Sequence, residues 1–138
     1  MSNPPQSVPD FTLSADGLLP AVAQDAETGA VLMLAYMNAE SFAETMATGR
    51  AVYYSRSRGR LWRKGEESGN RQDVLQVLVD CDGDAILLKV RQQGDAACHT
   101  GRVSCFFHEV GPTGSVKIIT QPIFDPAERY GKLPAKHD

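Results

Sequence analysis

The stretch Asp73-Val-Leu-Gln-Val-Leu-Val-Asp-Cys-Asp-Gly-Asp-Ala-Ile-Leu-Leu-Lys-Val-Arg-Gln92 decides the reading of the fold. Two runs rich in β-branched and apolar residues, Asp73 to Cys81 and Asp84 to Gln92, meet at Asp82-Gly83. An Asp-Gly pair between such runs predicts a hairpin. Upstream, Leu18 to Gln24 and Ala30 to Met37 form a second pair of apolar runs. Asp25 to Gly29 separates them, and this too predicts a hairpin with a short loop. Downstream, Val103 to Val110 and Ser115 to Thr120 predict two further strands.

Between the hairpins lies one clear helical signal. Asn38 is a good N-cap, Ala39 to Thr48 are compatible with helix, and Gly49 supplies a C-terminal stop. Phe42 and Met46, four apart, define the expected apolar face. Ala51 to Arg56 returns to strand character. Ser55 to Asn70 has no clean period and predicts a long functional loop, with a short strand at Arg60 to Arg63. Residues 1–10, with three prolines, predict a loose arm. Residues 121–138 predict an extended tail. The sum is a single α+β domain, strand-dominated, with one main helix at about 39–48.

Bulk composition narrows the function. At 138 residues the chain is long enough for one domain with a real core, and 42% hydrophobic with 22% charged residues excludes whole-chain disorder. The longest apolar runs are too short to span a bilayer, and the N-terminus has no secretory signal pattern. The expected compartment is the cytoplasm, where three cysteines argue against a disulfide framework. Net charge is −3, which gives no bulk attraction to nucleic acid. Its distribution is uneven. Seven of the 14 Lys and Arg residues fall between Arg50 and Arg71, opposed there only by Glu66 and Glu67, so this segment carries +5 and the rest −8. A local basic patch on an acidic protein suits a small phosphorylated ligand.

Two constellations carry chemistry. Asp80, Cys81, Asp82 and Asp84 crowd the tip of the central hairpin. Like charges this close repel, and a bound cation removes that penalty. The bland alternative is a solvated acidic turn. An EF-hand is excluded by the glycine position, by Arg91 at the twelfth place, and by the flanking strands. Oxygen ligands favour Mg²⁺ or Ca²⁺, and a thiolate favours Zn²⁺. If the strand runs through Asp82, then Asp80 and Asp82 share one face while Cys81 points to the other. Cys98 and Cys105 complete a C-x16-C-x6-C pattern that matches no common four-ligand finger. Three protein ligands leave one position open for water, the mark of a catalytic zinc. His99 is read three ways: as a fourth ligand, as a general acid or base, or as a satisfied buried histidine.

The second constellation is Ser55-Arg56-Ser57-Arg58-Gly59-Arg60-Leu61-Trp62-Arg63-Lys64-Gly65, continued by Ser68-Gly69-Asn70. Guanidiniums clamp phosphate, hydroxyls add donors, and glycine admits the backbone. Trp62 offers a face to a base. The candidate ligand-binding residues are Ser55, Arg56, Ser57, Arg58, Trp62, Lys64, Gly65, Ser68, Gly69 and Asn70. The competing reading is a solvated basic loop. No Walker or dinucleotide pattern is present.

Taken together, the Ser55 to Asn70 segment, the Asp80–Asp84 turn, and Ala97-Cys98-His99-Thr100-Gly101 with Ser104-Cys105-Phe106 resemble the phosphoribosyl-AMP cyclohydrolase family. The resemblance runs from about Leu18 to Phe107. It implies a hydrolase of histidine biosynthesis that opens the N1–C6 bond of the adenine ring in 1-(5-phosphoribosyl)-AMP, using zinc-activated water. It implies Zn²⁺ on Cys81, Cys98 and Cys105, and Mg²⁺ on Asp80, Asp82 and Asp84, with His99 as the catalytic proton carrier. It further implies an intertwined cytoplasmic homodimer, in which one chain gives Cys81 and the other Cys98 and Cys105. The residues after Phe107 are too few for the pyrophosphohydrolase domain that follows in some relatives, so the expectation is the cyclohydrolase activity alone. A nucleobase deaminase is disfavoured because no Cys-x-x-Cys exists. A non-enzymatic zinc or nucleotide-binding module would need a filled four-ligand site in one chain.

Overall fold

The computed structural model describes residues 8–66 and 68–124. Residues 1–7 of the expected arm and 125–138 of the expected tail lie outside the described residues. The parts of those segments that are described are held in place. Asp10 N–H donates to Gly83 O at 2.9 Å, and Ile123 N–H donates to Gly101 O at 2.7 Å.

Four strands make the main sheet: β1 (Leu19–Asp25), β2 (Val31–Met37), β5 (Gln72–Val79) and β6 (Ile86–Gln92), in the spatial order β2-β1-β6-β5. Both expected hairpins form. β1 pairs antiparallel with β2, and β5 pairs antiparallel with β6. They are joined through a parallel pairing of β1 with β6, Ala21 opposite Ile86 and Ala23 opposite Leu88. One sheet face is sealed by Ala21, Ala23, Met33, Ala35, Ile86 and Leu88, all buried. The small alanines at the centre admit Tyr53, which is fully buried against them. On the opposite face, one register row crosses all four strands: Leu34, Val22, Leu87 and Leu78. Its ends, Leu34 and Leu78, are exposed.

The helix α1 (Ala39–Thr48) follows β2 with the expected bounds. Asn38 and Ser41 form a reciprocal capping box, and Gly49 closes the other end in the left-handed conformation. The buried face differs from expectation. Phe42 packs on the core, but Met46 is exposed, and the fully buried positions are Ser41 and Thr45. The reason is a hydrogen bond. Thr45 Oγ1 accepts from Val52 N–H at 2.9 Å and so ties the helix to the next strand; a methionine there has no acceptor for that amide.

β3 (Val52–Ser55) and β4 (Arg60–Arg63) form a separate hairpin, so the expected short strand within the Ser55–Asn70 loop exists. Residue 51 anchors it to the sheet, its N–H donating to Gln72 O at 3.0 Å. Two corrections concern loops. β5 ends at Val79, before the acidic turn, so the face-alternation argument for Asp80 and Asp82 does not apply. The expected strand Val103–Val110 survives only as β7 (His108–Val110), which pairs with β8 (Val116–Ile118). Upstream of it, Ser104 Oγ takes roles a ladder would fill. It donates to Val31 O at 2.8 Å and accepts from Phe106 N–H at 2.9 Å.

Candidate functional site

The acidic turn is a six-residue connection, 80–85, rather than a two-residue one. Its backbone is organised by Asp80. The Asp80 carbonyl accepts from Gly83 N–H at 3.1 Å, and its Oδ1 accepts from the amides of Asp84 and Ala85 at 3.0 and 3.2 Å. This wraps the chain so that ligand oxygens of Asp80, Asp82 and Asp84 all lie within 4.8 Å of one another. The three carboxylates therefore converge, although not by strand alternation. Desolvation raises the Asp80 carboxyl, but the Asp84 amide, the neighbouring side chains and the Ala85 amide outweigh it and hold Asp80 below its usual range. Asp84 goes the other way. Its side-chain hydrogen bonds with Asp82 and Asp80, and their charges, push it up. That is the behaviour of acids sharing too little positive charge, and the donor set fits a hard divalent cation.

The three cysteines are distributed unequally. Cys98 is buried, Cys105 is partly buried, and Cys81 is exposed on the acidic turn. A tight loop presents Cys98. Its amide donates to Arg102 O, and Gly101 N–H donates back to Cys98 O at 3.0 Å. Gly101 has φ +86°, and a Cβ there would meet Phe124 O at 2.4 Å, so no larger residue fits. Around the Cys98 sulfur, Thr100 Oγ1 donates at 3.0 Å. The Cys98 thiol is lowered to about 3, first by the hydrogen bond with Cys105, then, against the cost of burial, by those with His99 and Thr100. Cys105 is pushed up by that same bond and by burial. Within one chain Cys98 and Cys105 thus share a side-chain hydrogen bond, a donor set that fits a soft metal. Among the described residues, the only group of three or more acidic, thiol or imidazole side chains with converging ligand atoms is the aspartate triplet, so Cys81 does not join the other two cysteines within one chain.

The expected ligand-binding residues divide into three groups. Ser55, Arg56, Ser57 and Arg58 form the end of β3 and the tip of its hairpin. Ser55 Oγ accepts from Arg58 N–H at 3.2 Å and lies 3.4 Å from Ser57 Oγ. The Arg56 guanidinium stands 4.6 Å from the centroid of Tyr36. Ser55, Arg56 and Ser57, with Leu34, Tyr36, Tyr54 and Trp62, line a cleft of about 480 Å³; Arg58 lines a smaller neighbouring pocket with Arg60 and Glu66 instead. Trp62 is paired with Tyr53, ring centroids 5.3 Å apart, and packs on the core as well as lining the cleft. Gly65, Ser68, Gly69 and Asn70 form a second, compact turn. Gly69 N–H donates to Gly65 O at 2.9 Å, and Asn70 is fully buried. Lys64 stands apart from both groups, buried, with Nζ donating to Ala97 O at 2.6 Å.

Some contributors were not singled out from sequence. Tyr36 and Tyr54 face the first cleft. A second cleft of about 600 Å³ collects Arg50, Arg63 and Arg71 beside Lys64 and Gly65. The charge excess between Arg50 and Arg71 was the available signal for these arginines. A buried relay also appears: Tyr53 hydroxyl to Gln72 Oε1 at 2.6 Å, Gln72 Nε2 to Gln92 Oε1 at 2.9 Å, and Gln92 Nε2 to Asn70 O at 2.7 Å. It ties the Ser68–Asn70 turn to the sheet. Glutamines in strands gave no sequence signal for it.

Comparison with known proteins follows the same residues. A family model described as phosphoribosyl-AMP cyclohydrolase matches residues 33–107, which include both cysteine blocks, the acidic turn and the basic hairpin. The phosphoribosyl-AMP cyclohydrolase of Bordetella petrii is 56% identical over 133 residues, covering 94% of this chain and 99% of that protein. That of Bordetella avium is 62% identical, covering 82% and 84%, and that of Nitratidesulfovibrio vulgaris 57%, covering 89% and 96%. No helix among the described residues is long and apolar enough to cross a membrane. With its site residues inside the matched region and relatives aligned over nearly their full length, this chain belongs to the phosphoribosyl-AMP cyclohydrolase family.

Proposed function

We propose that this protein hydrolyses the N1–C6 bond of the adenine ring in 1-(5-phosphoribosyl)-AMP, a step of histidine biosynthesis, as a cytoplasmic, metal-dependent homodimer. The observation that carries the reading is the hydrogen-bonded pair of Cys98 and Cys105, braced by Thr100 and His99, inside the region that matches the family. In this reading Cys81, Cys98 and Cys105 hold Zn²⁺, and Asp80, Asp82 and Asp84 hold Mg²⁺. Zinc, when bound, supplies a water activated for attack near neutral pH.

The chain's own residues do the rest. The water oxygen adds to C6 and becomes the carboxamide oxygen. The N1–C6 bond breaks, and N1 departs with a proton, remaining bonded to C2 in an amidine. His99, beside Cys98, carries that proton. Ser55, Arg56, Ser57 and Arg58 grip a ribose phosphate at the hairpin tip, and the aromatic wall of Tyr36, Tyr54 and Trp62 receives the base.

The separation of Cys81 from the other two cysteines supports a zinc site shared between two copies. The exposed Val110, Val116 and Ile118 on the β7–β8 ribbon, with Leu34 and Leu78 on the sheet, supply apolar surface for such an association. The test is direct. Purified protein loaded with zinc and magnesium is given phosphoribosyl-AMP, and ring opening is followed in the ultraviolet. No turnover by the intact metallated protein overturns the assignment. Cys98→Ser is expected to lose stoichiometric zinc.

A further inference from the structure

Of the cationic side chains in the Arg50–Arg71 segment, Lys64 is the one buried inside the protein. Arg56, Arg58, Arg60 and Arg63 are exposed, whereas Lys64 keeps 7% of its surface. Its position is fixed from several sides. The Lys64 amide donates to Ala51 O at 3.2 Å. The following Gly65 sits so close to the next turn that a Cβ would meet Arg71 N at 2.1 Å. The ammonium stands 5.7 Å from the Trp62 ring centroid, and Trp62 is itself held on Tyr53. The carbonyl it reaches, Ala97 O, belongs to the residue immediately before Cys98.

We propose that Lys64 is the countercharge of the thiolate metal centre, its ammonium anchored on the Ala97 carbonyl so as to offset the negative charge of the cysteines and set the affinity for metal. The inference rests on the reading of Cys98 and Cys105 as zinc ligands. Three thiolates around one divalent cation leave a surplus negative charge, and burying it is costly unless a fixed cation stands nearby. A lysine suits this role because its charge is compact and its long stem packs in apolar surroundings. Lys64 is thus a positioning residue for the metal, acting through the cysteines.

The experiment measures zinc affinity of the full-length apoprotein by competition with a chromophoric chelator, for native protein, Lys64→Gln, Lys64→Met and Lys64→Arg, with folding checked by circular dichroism. Lys64→Gln keeps a hydrogen-bond donor and removes the charge, on a shorter side chain. Lys64→Met keeps the packed stem and stands in if the glutamine variant does not fold. The expected result is zinc binding about 10- to 100-fold weaker in Lys64→Gln and Lys64→Met, the range for groups that support metal ligands. Lys64→Arg is expected to recover most of that loss. At saturating zinc, KM for phosphoribosyl-AMP is expected to move far less than the zinc dissociation constant. Native-like zinc affinity in Lys64→Gln overturns the proposal. So does an arginine variant as weak as the glutamine one, or a KM that rises while zinc affinity is kept. Cys98→Ser, measured alongside, separates the two levels. If it keeps zinc, the ligand reading itself fails; if it loses zinc while Lys64→Gln does not, only the role of Lys64 fails.

Discussion

Replacing Gln72 by leucine tests whether the buried relay under the Ser68–Asn70 turn holds the fold together. Gln72 is fully buried, accepts from the Tyr53 hydroxyl at 2.6 Å and donates to Gln92 Oε1 at 2.9 Å. Burial raises the Tyr53 phenol far above its usual range, so that hydroxyl stays a donor throughout the accessible pH range. Gln72→Leu strands both the hydroxyl and Gln92 Oε1, at about 1–3 kcal/mol each. Added apolar burial returns about 1 kcal/mol. The net loss is about 1–5 kcal/mol, a sizeable share of the roughly 5–15 kcal/mol that holds such a domain folded. Tyr53→Phe alone strands Gln72 Oε1 and costs about 1–3 kcal/mol. In the Gln72→Leu background the same change strands nothing and removes an unsatisfied hydroxyl, so it is expected to stabilise by about 1–2 kcal/mol. Urea unfolding of the four proteins at one fixed concentration reads the cycle. A Tyr53→Phe cost that is equal in both backgrounds refutes the reasoning.

Four further outcomes are expected. Gly65→Ala combines a left-handed backbone, φ +85°, with a Cβ 2.1 Å from Arg71 N, and is expected to cost about 3 kcal/mol in thermal unfolding. Gly69→Ala, at φ +80° in open space, is expected to cost about 1 kcal/mol. Arg63 clamps Glu44 with two hydrogen bonds, at 2.5 and 2.9 Å, and this holds the Glu44 carboxyl below its ordinary 4.5. The pair's contribution is therefore present above pH 4.5 and is lost as pH falls through the lowered value. Arg63→Met is expected to remove that small acid-side slope in stability measured from pH 6 down to 3. Asn38→Ala breaks the capping box of α1 and is expected to cost about 1 kcal/mol by the same melts.

What the sequence determined by itself were the features written in neighbouring residues. Ala39–Thr48 forms with its expected bounds because Asn38, Ser41 and Gly49 settle the helix ends within a few residues of themselves. Both sheet hairpins and the Arg60–Arg63 strand form because alternation and turn residues are local signals. The motifs that suggested the family also lie in short blocks, and they fall inside the matched region. The tertiary structure decided what depends on distant partners. The parallel contact of β1 with β6 joins strands some 60 residues apart, and no local pattern specifies it. Thr45 is buried and Met46 exposed because an amide seven residues away needs an acceptor. Residues 103–107 do not continue a ladder because a serine hydroxyl binds the edge of β2 instead. The three cysteines look equivalent in the sequence. In the fold, two share a hydrogen-bonded site while the third stands on an exposed turn, and the three sulfurs do not converge within one chain. Lys64 looked like one cation among seven, and only packing drew it inside, onto a carbonyl 33 residues away.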